Sequence, residues 1–224
     1  MIAALTGMGL SAAAGLNAYI PFLIMALLAR FTDIVNLPTG WEWMESWWAI
    51  GVGAVLLLTE VTLDKVPAVD SVNDAVQTFI RPGMGGLMGA AAISANEIEG
   101  SSFMQENPWI GVVLGIVVAG LVHSGKAAAR PVVNAGTAGI GAPVVSTMED
   151  GASVTIALVA VFLPVLVVLV LAVLAWMLWL VWRSWSRLRR RRTPAPPERV
   201  RAGGQRSPLR VPKPLMTMGA TWRT

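Results

Sequence analysis

ASVTIALVAVFLPVLVVLVLAVLAWMLWLVW stands at residues 152–182. Its 31 residues include no acid and no base, and this makes it the most informative segment for the fold class. A helix needs roughly 20 apolar residues to cross the hydrocarbon core of a bilayer. The stretch exceeds that length, so it predicts a transmembrane helix.

The composition extends this prediction to the rest of the chain. Of the 224 residues, 55% are hydrophobic and 13% are charged, about half of the charged share of an ordinary soluble domain. Six apolar segments lie along the chain, at residues 2–31, 47–63, 83–95, 109–124, 127–147 and 152–182. We therefore expect an all-α, polytopic helical membrane protein with about six spans.

Charges between these segments are distributed unevenly. Acids fill the first and third connectors, whereas Lys65 and Arg81 flank the second connector and Lys126 and Arg130 flank the fourth. The positive-inside rule makes the basic sides cytoplasmic. Six crossings place both termini and a turn at Lys126 in the cytoplasm of a bacterial inner membrane. A re-entrant 127–147 would leave five crossings and put the arginine run 189–192 outside, so we expect six.

The last 42 residues differ from the rest. Residues 183–224 carry a net charge of +11 and the preceding 182 residues carry −7. We expect residues 1–182 to form the transmembrane domain and residues 183–224 to form a disordered, polybasic cytoplasmic tail. Its first basic residues are expected to contact anionic lipid headgroups; they are Arg187, Arg189, Arg190, Arg191 and Arg192. Nucleic acid is not an expected partner.

The first segment contains residues that are unusual inside a span. Asn17 and Pro21 leave backbone groups that lipid cannot satisfy, so a broken or kinked helix is expected there. Gly7, Ser11 and Gly15 recur every four residues, which is typical of close helix packing. Packing and a substrate-lining break both remain open. A short echo of residues 7–17 at 83–96 indicates either an internal repeat or a chance match in glycine and alanine.

Acids and bases within the apolar context are the candidate functional residues. Glu60 and Asp64 share one helical face, and a carboxylate inside a membrane is costly enough to indicate function. Residues 64–81 have the spacing of an amphipathic helix, which either lies in the interface or re-enters and brings Asp70 and Asp74 close to Lys126 or Arg130.

The polar, glycine-rich stretch 126–150 is the matching region in the second half of the chain. Lys126, Arg130 and Asn134 lie in it, and irregular backbone at membrane depth is tolerated only where protein or a cavity surrounds it. We expect this stretch to line a cavity. The candidate pathway residues are therefore Asn17, Pro21, Glu60, Asp64, Lys65, Asp70, Asp74, Arg81, His123, Lys126, Arg130 and Asn134.

Several kinds of chemistry are disfavoured. The chain has no cysteine, and His123 is its one histidine, which removes thiolate and histidine-cluster metal sites. Residues 120–127 approach the phosphate-loop pattern, but Ala127 stands where that pattern needs a hydroxyl. We expect no cofactor, no metal and no enzymatic activity.

Three blocks are distinctive in combination: GLSAAAGLNAYIPFL at 9–23, DKVPAVDSVNDAVQTFIRP at 64–82 and HSGKAAARPVVNAGTAGIGAPVVSTMEDG at 123–151. In these blocks the sequence resembles the bacterial membrane family catalogued as domain of unknown function 4126. The resemblance covers about residues 3–180 and implies an integral membrane protein without a known substrate.

The leading hypothesis is a transporter or channel for a small solute or lipid, with polar broken segments converging on a central site. The alternative is a non-transporting membrane scaffold whose tail binds anionic lipid or a partner. A third is a membrane-embedded enzyme on lipid substrates. The small-residue faces permit a homo-oligomer without requiring one.

Overall fold

The chain folds into α-helices joined by short connections. The computed structural model describes residues 1–64, 67–95, 102–137 and 141–191. In these ranges the α-helices are α1 (Ile2–Leu16), α2 (Tyr19–Phe31), α3 (Trp47–Leu63), α4 (Pro67–Ser94), α5 (Ser102–Glu106), α6 (Trp109–Thr137), α7 (Gly141–Phe162) and α8 (Val167–Arg191). Two short 3₁₀ helices, Glu42–Glu45 and Pro164–Leu166, precede α3 and α8. The all-α prediction is confirmed for the described part of the chain.

Helix α1 lies at the centre and packs against α4, α6 and α7. Its alanines Ala12, Ala13 and Ala14 are completely buried. A helix that is apolar on every side needs neighbours on every side, and α1 has them.

Small residues set the distance between α1, α4 and α6. A Cβ on Gly89 would collide with the carbonyl oxygen of Gly111, and one on Gly115 would collide with that of Gly85. One on Gly7 would lie 3.2 Å from the Gly89 oxygen. The packing interpretation is therefore confirmed for Gly7, and the other glycines pack in the same way, because only hydrogen at Cα allows the backbones this close.

The chain reverses direction between α1 and α2. Asn17 is extended, with φ −142° and ψ 123°, and it ends α1. Residue pairs fix the directions: Gly7 meets Gly89 and the Ser11 hydroxyl donates to the Gly85 oxygen, so α1 is antiparallel to α4. The break predicted near Asn17 is present.

Helix α2 then runs back beside α3. Gly53 meets Phe22, and Phe31 contacts Trp47 edge to face at 5.8 Å, so α2 and α3 are antiparallel. Helix α3 is antiparallel to α4, because Asp64 contacts Asn73 and Glu60 contacts Arg81. It therefore runs in the direction of α1, and α1 and α2 form a hairpin whose tip is residues 17–18. Residues 2–31 are therefore not the single crossing that the sequence predicts.

These directions define two ends of the bundle. The N-terminal end holds Met1, Phe31, Trp47 and Trp109, and the C-terminal end holds Thr137 and the end of α8. The hairpin tip and Asp64 lie toward the C-terminal end, but α6 and α8 continue beyond them. Helix α8 approaches Gly9 with Val167 and Gly125 with Leu178, and so runs toward the C-terminal end. The hairpin returns the chain to the end where it began, so Met1 and Arg191 lie at opposite ends of the described bundle.

Three predicted boundaries differ from the observed ones. The expected turn at Lys126 is absent, because α6 continues through Lys126 and Pro131 to Thr137. Residues 127–147 are consequently divided between α6 and α7 rather than forming a span. The stretch 152–182 is interrupted at Leu163, because Pro164 lacks an N–H group and begins a new helical turn.

Two further segments join where the sequence suggested separate ones. The amphipathic residues 64–81 and the apolar segment 83–95 belong largely to one helix, α4, with Pro82 inside it. Helix α8 extends to Arg191, nine residues into the tail predicted to be disordered. No proline interrupts the sequence between residues 165 and 193, and Leu and Arg are good helix formers.

The outer surface of the helices is apolar. Val55, Leu58, Val117, Leu169 and Val173 are each about half exposed or more. In the described ranges two helical segments, Trp109–Pro131 and Gly141–Phe162, are long and apolar enough to cross a membrane by length and composition. Shorter apolar helices are Ile2–Leu16, Tyr19–Phe31, Trp47–Leu63 and Pro164–Leu180. These helices suggest membrane association.

Candidate functional site

Six charged residues, five of them buried and one partly buried, meet toward the C-terminal end of the bundle, beside the tip of the α1–α2 hairpin. We call them the charge cluster, and they comprise Glu60, Asp64, Arg81, Lys126, Arg130 and Glu149. Three are acids and three are bases, so the charges balance. Balance matters because an unpaired buried charge is far more costly than a paired one.

Helix α3 supplies the first two acids. Glu60 lies one turn before Asp64, and they are 1% and 2% exposed. At this spacing both carboxylates project from one face of the helix, as the sequence predicted. That face turns inward, toward α4 and α6.

Arg81 of α4 joins the two carboxylates. Its Nη2 lies 2.7 Å from Glu60 Oε1 and 3.6 Å from Asp64 Oδ2. Its Nε donates to the same Glu60 oxygen at 3.2 Å. A planar guanidinium can serve several acceptors at once, which explains how a completely buried arginine is accommodated.

Lys126 and Arg130 extend the charge cluster to α7. They are one turn apart on α6, and each approaches Asp64 Oδ2 at 3.0 Å. Each also reaches Glu149 Oε2, at 2.9 Å from Lys126 and 3.3 Å from Arg130. Asp64 is the common partner, since all three bases converge on its Oδ2 while Asn73 Nδ2 donates to its Oδ1 at 2.6 Å.

Two hydrogen bonds connect the hairpin tip to the charge cluster. Lys126 Nζ donates to the Leu16 carbonyl oxygen at 3.1 Å, and the Ala18 amide donates to Glu60 Oε2 at 3.3 Å. The C-terminus of α1 thus meets a cation and the N-terminus of α2 meets an anion. Both contacts match the polarity of the helix ends.

Asn17 holds the reversal in place with its own side chain. Its Oδ1 accepts from the amides of Tyr19 and Ile20, and its Nδ2 donates to Asp150 Oδ1 at 2.9 Å. The Oδ1 contacts satisfy amides at the start of α2 that have no partner within the helix.

His123 borders the charge cluster as a neutral imidazole. Arg81 Nη1 lies 3.2 Å from Nδ1 and Thr78 Oγ1 lies 3.1 Å from Nε2. Because arginine only donates, Nδ1 accepts, and the ring proton is on Nε2 and points at Thr78.

The structure brings together seven of the candidates from the sequence: Asn17, Glu60, Asp64, Arg81, His123, Lys126 and Arg130. Pro21 lies apart from these contacts in the first turn of α2, where proline is well tolerated. Lys65 and Arg192 lie outside the described residues. Other candidates lie on described helices, but their side chains are outside the description: Asp70, Asp74, Asn134, Arg187, Arg189, Arg190 and Arg191.

Glu149, Asp150, Asn73 and Thr78 were missed by reasoning from sequence. The expected span at 127–147 left Glu149 and Asp150 in a connector. In the structure, the apolar residues on both sides of this acidic pair belong to one helix, α7, so the pair lies inside an apolar helix and not in a connector.

The charge cluster does not resemble a metal centre. In the described ranges no group of three or more metal-ligating side chains is suitably placed. Its carboxylates instead face arginine and lysine, whose charges compete with a cation for the same oxygens.

Comparison with known proteins gives one match. A family model described as "Domain of unknown function (DUF4126)" matches residues 4–184. No curated protein and no solved structure matches the chain.

Proposed function

The chain belongs to the DUF4126 family, whose description names no activity, and we propose a function for it from its site. We propose that it is an inner-membrane protein that transports or gates a small solute or lipid. Its charge cluster lies on the pathway. The family match implies no substrate, so the proposal rests on the site.

The distribution of polarity supports placement in a membrane. Arg81, Glu60 and Asp64 are at most 2% exposed, whereas Leu58 and Leu169 are 68% and 63% exposed. A soluble protein buries apolar side chains and exposes charges. The opposite arrangement suits a bundle surrounded by lipid.

The helix directions support five crossings and one re-entrant hairpin. Helices α3, α4, α6, α7 and α8 each have at least 17 residues, a length of about 26 Å or more, and we count each as one crossing. At 1.5 Å per residue, α1 and α2 reach about 22 and 20 Å, less than the roughly 30 Å of a hydrocarbon core. They enter from the N-terminal end and turn at Asn17.

The basic residues give this arrangement an orientation. Lys126 and Arg130 lie at the C-terminal end of the bundle, and the arginine-rich segment from residue 187 follows from that end. The positive-inside rule places this end in the cytoplasm and Met1 outside. Arg187 and Arg189 to Arg192 would then meet anionic headgroups of the inner leaflet.

One observation carries the transport proposal: a broken helix whose two half-helix ends contact buried ions. Transporters commonly place substrate or coupling-ion sites where discontinuous helices expose backbone groups at membrane depth. Here the Leu16 oxygen and the Ala18 amide are exposed in this way. They meet Lys126 and Glu60, ionisable residues of the kind that mark pathways in membranes.

The pairing of the charges favours the alternative function, a non-transporting scaffold. Every acid in the charge cluster has at least one base within 3.0 Å. Ion pairs that only hold helices together do not need to break and form new contacts with a substrate. The third hypothesis, an enzyme on lipids, gains no support from His123, whose Nδ1 faces Arg81, and we propose no catalytic activity, cofactor or metal.

Water accessibility separates the first two functions. Ser146 is 1% exposed on α7, one turn before Glu149 and Asp150, and Ser11 is 0% exposed in the α1–α4 contact. Ser146→Cys and Ser11→Cys are nearly isosteric changes in a chain without cysteine. They form a matched pair for labelling with a membrane-impermeant thiol reagent in proteoliposomes.

Transport predicts that Ser146→Cys is labelled from at least one side while Ser11→Cys stays unlabelled. Labelling of neither position, in variants with unchanged unfolding midpoints, would favour the scaffold. Labelling of both would mean that the bundle opens as a whole, and the specific pathway would be rejected.

A further inference from the structure

Two adjoining cavities form a furrow between α3 and α4. The larger cavity, of about 250 Å³, lies beside the charge cluster, and the smaller, of about 140 Å³, lies toward Trp43 and Trp48. Tyr19 and Leu56 line both cavities, so the furrow follows α3 from Trp48 to Leu63. At a rise of 1.5 Å per residue, this part of α3 is about 22 Å long.

The α1–α2 hairpin keeps α3 and α4 apart along the furrow. Tyr19 and Phe22 of α2 are at most 7% exposed and form its floor, and Phe22 packs against Gly53 of α3. Toward the C-terminal end, the Glu60–Arg81 ion pair joins α3 to α4. The gap between the two helices is therefore a consequence of how the hairpin is packed.

The furrow opens on the apolar outer surface of the bundle. Trp48, Val52 and Val76 at its rim are 63%, 52% and 52% exposed. In a bilayer these side chains would face lipid. A ligand would therefore enter the furrow sideways, from the hydrocarbon region.

The walls of the furrow present hydrocarbon to such a ligand. The smaller cavity is lined by aromatic and aliphatic side chains and exposes no polar atom. In the larger cavity, Glu60 and Asn73 are held by members of the charge cluster. The Thr59 hydroxyl donates to its own helix, and Gln77 Oε1 is buried and does not face the furrow. The walls thus suit an apolar ligand and not a polar one.

We propose that the furrow binds one acyl chain of a phospholipid from the leaflet at the N-terminal end of the bundle. The chains of one leaflet reach about 15 Å, half of a hydrocarbon core of roughly 30 Å. A chain that starts at Trp48 therefore extends past Leu56 into the larger cavity. Its glycerol lies beside Trp43 and Trp48, at the depth where tryptophans meet the headgroups.

An acyl chain fits the furrow better than the other candidates. An empty apolar cavity lacks contacts that methylenes restore, and water is poorly held where polar partners are missing. A helix from a second copy is about 10–12 Å across, too wide for cavities of this volume. The inference rests on the membrane placement proposed above but not on transport.

Photolabelling of the full chain in proteoliposomes tests the inference. The probe is a phosphatidylcholine that carries a diazirine in the middle of one acyl chain. Leu169 and Val173 of α8 are 63% and 46% exposed and provide a lipid-facing reference outside the furrow. We expect about tenfold more crosslinking on the furrow residues of α3 and α4 than on this reference, which corresponds to about 1.4 kcal/mol.

Two substitutions at the rim fill the furrow from its lipid-facing side. Val52→Trp and Leu56→Trp should each lower the crosslinking of furrow residues to the level on α8, and either variant suffices if the other fails to fold. Val173→Trp is the matched control and should leave furrow crosslinking unchanged.

Three results would overturn the inference. They are equal crosslinking on the furrow and on α8 in the unaltered protein, furrow crosslinking that survives both Val52→Trp and Leu56→Trp, and an equal loss in Val173→Trp. The cysteine experiment above reports on water at Ser146, so its outcome and the outcome of the photolabelling are independent.

Discussion

Arg81 is the residue on which the charge cluster depends most. It is completely buried, and it contacts Glu60, Asp64 and His123. Removing its charge leaves Asp64 with Lys126 and Arg130 but deprives Glu60 of its nearest base.

Arg81→Met should therefore lower the free energy of unfolding by about 3–5 kcal/mol, as expected for an orphaned buried charge. Adding Glu60→Gln should recover much of the loss, since two acids and two bases then remain and glutamine still accepts from Ala18. Denaturant unfolding in micelles, followed by tryptophan fluorescence, measures both variants. Arg30→Met, at a partly exposed arginine, is the control, and a double variant no more stable than the single one would contradict the pairing.

Asn17 stabilises the reversal between α1 and α2 through its side-chain amide. Asn17→Ala removes the acceptor for Tyr19 and Ile20 and the donor to Asp150. We expect a loss of about 1–2 kcal/mol, typical of a helix N-cap, in the same unfolding measurement. Asn17→Ser restores an acceptor near the start of α2 and should lose less. If the two variants lose equally, the cap contributes little.

At the scale of elements, the contact of α1, α4 and α6 depends on where the glycines lie. Gly115 has the Gly85 backbone and the Ser11 hydroxyl at the position of a Cβ, whereas Gly83 has open space. Both residues are inside helices. The same substitution should thus have opposite effects at the two positions.

Gly115→Ala should destabilise the protein by about 1–3 kcal/mol, the usual cost of overpacking. Gly83→Ala should stabilise it by up to about 1 kcal/mol, because alanine favours the helix more than glycine does. Unfolding midpoints of the two variants check this pair. A loss of stability at Gly83 similar to that at Gly115 would show that helix packing does not distinguish them.

At the scale of the whole molecule, the hairpin sets the topology. With five crossings the two termini lie on opposite sides of the membrane, and with six they lie on the same side. A cysteine inserted after Met1 should react with an impermeant maleimide on intact cells, and Ser184→Cys should react only after the cells are opened. Protection of both cysteines in intact cells would support six crossings.

The helical class and much of the charge cluster follow from the amino-acid pattern alone. Apolar segments without charge have few alternatives to helices in a bilayer. Charges that interrupt such segments identify four members of the charge cluster as candidate functional residues: Glu60, Asp64, Lys126 and Arg130. The break at Asn17 followed from an amide and a nearby proline within an apolar run.

The direction of α2, the continuity of α6 and the inclusion of Glu149 depend instead on tertiary contacts. From sequence, Lys126 indicates a turn, because an isolated charge belongs at the membrane surface. In the fold it stays within a helix, because Asp64 and Glu149 compensate it from α3 and α7. Whether a charge ends a span therefore depends on partners that are distant in the chain, and hydropathy along the sequence contains no information about them.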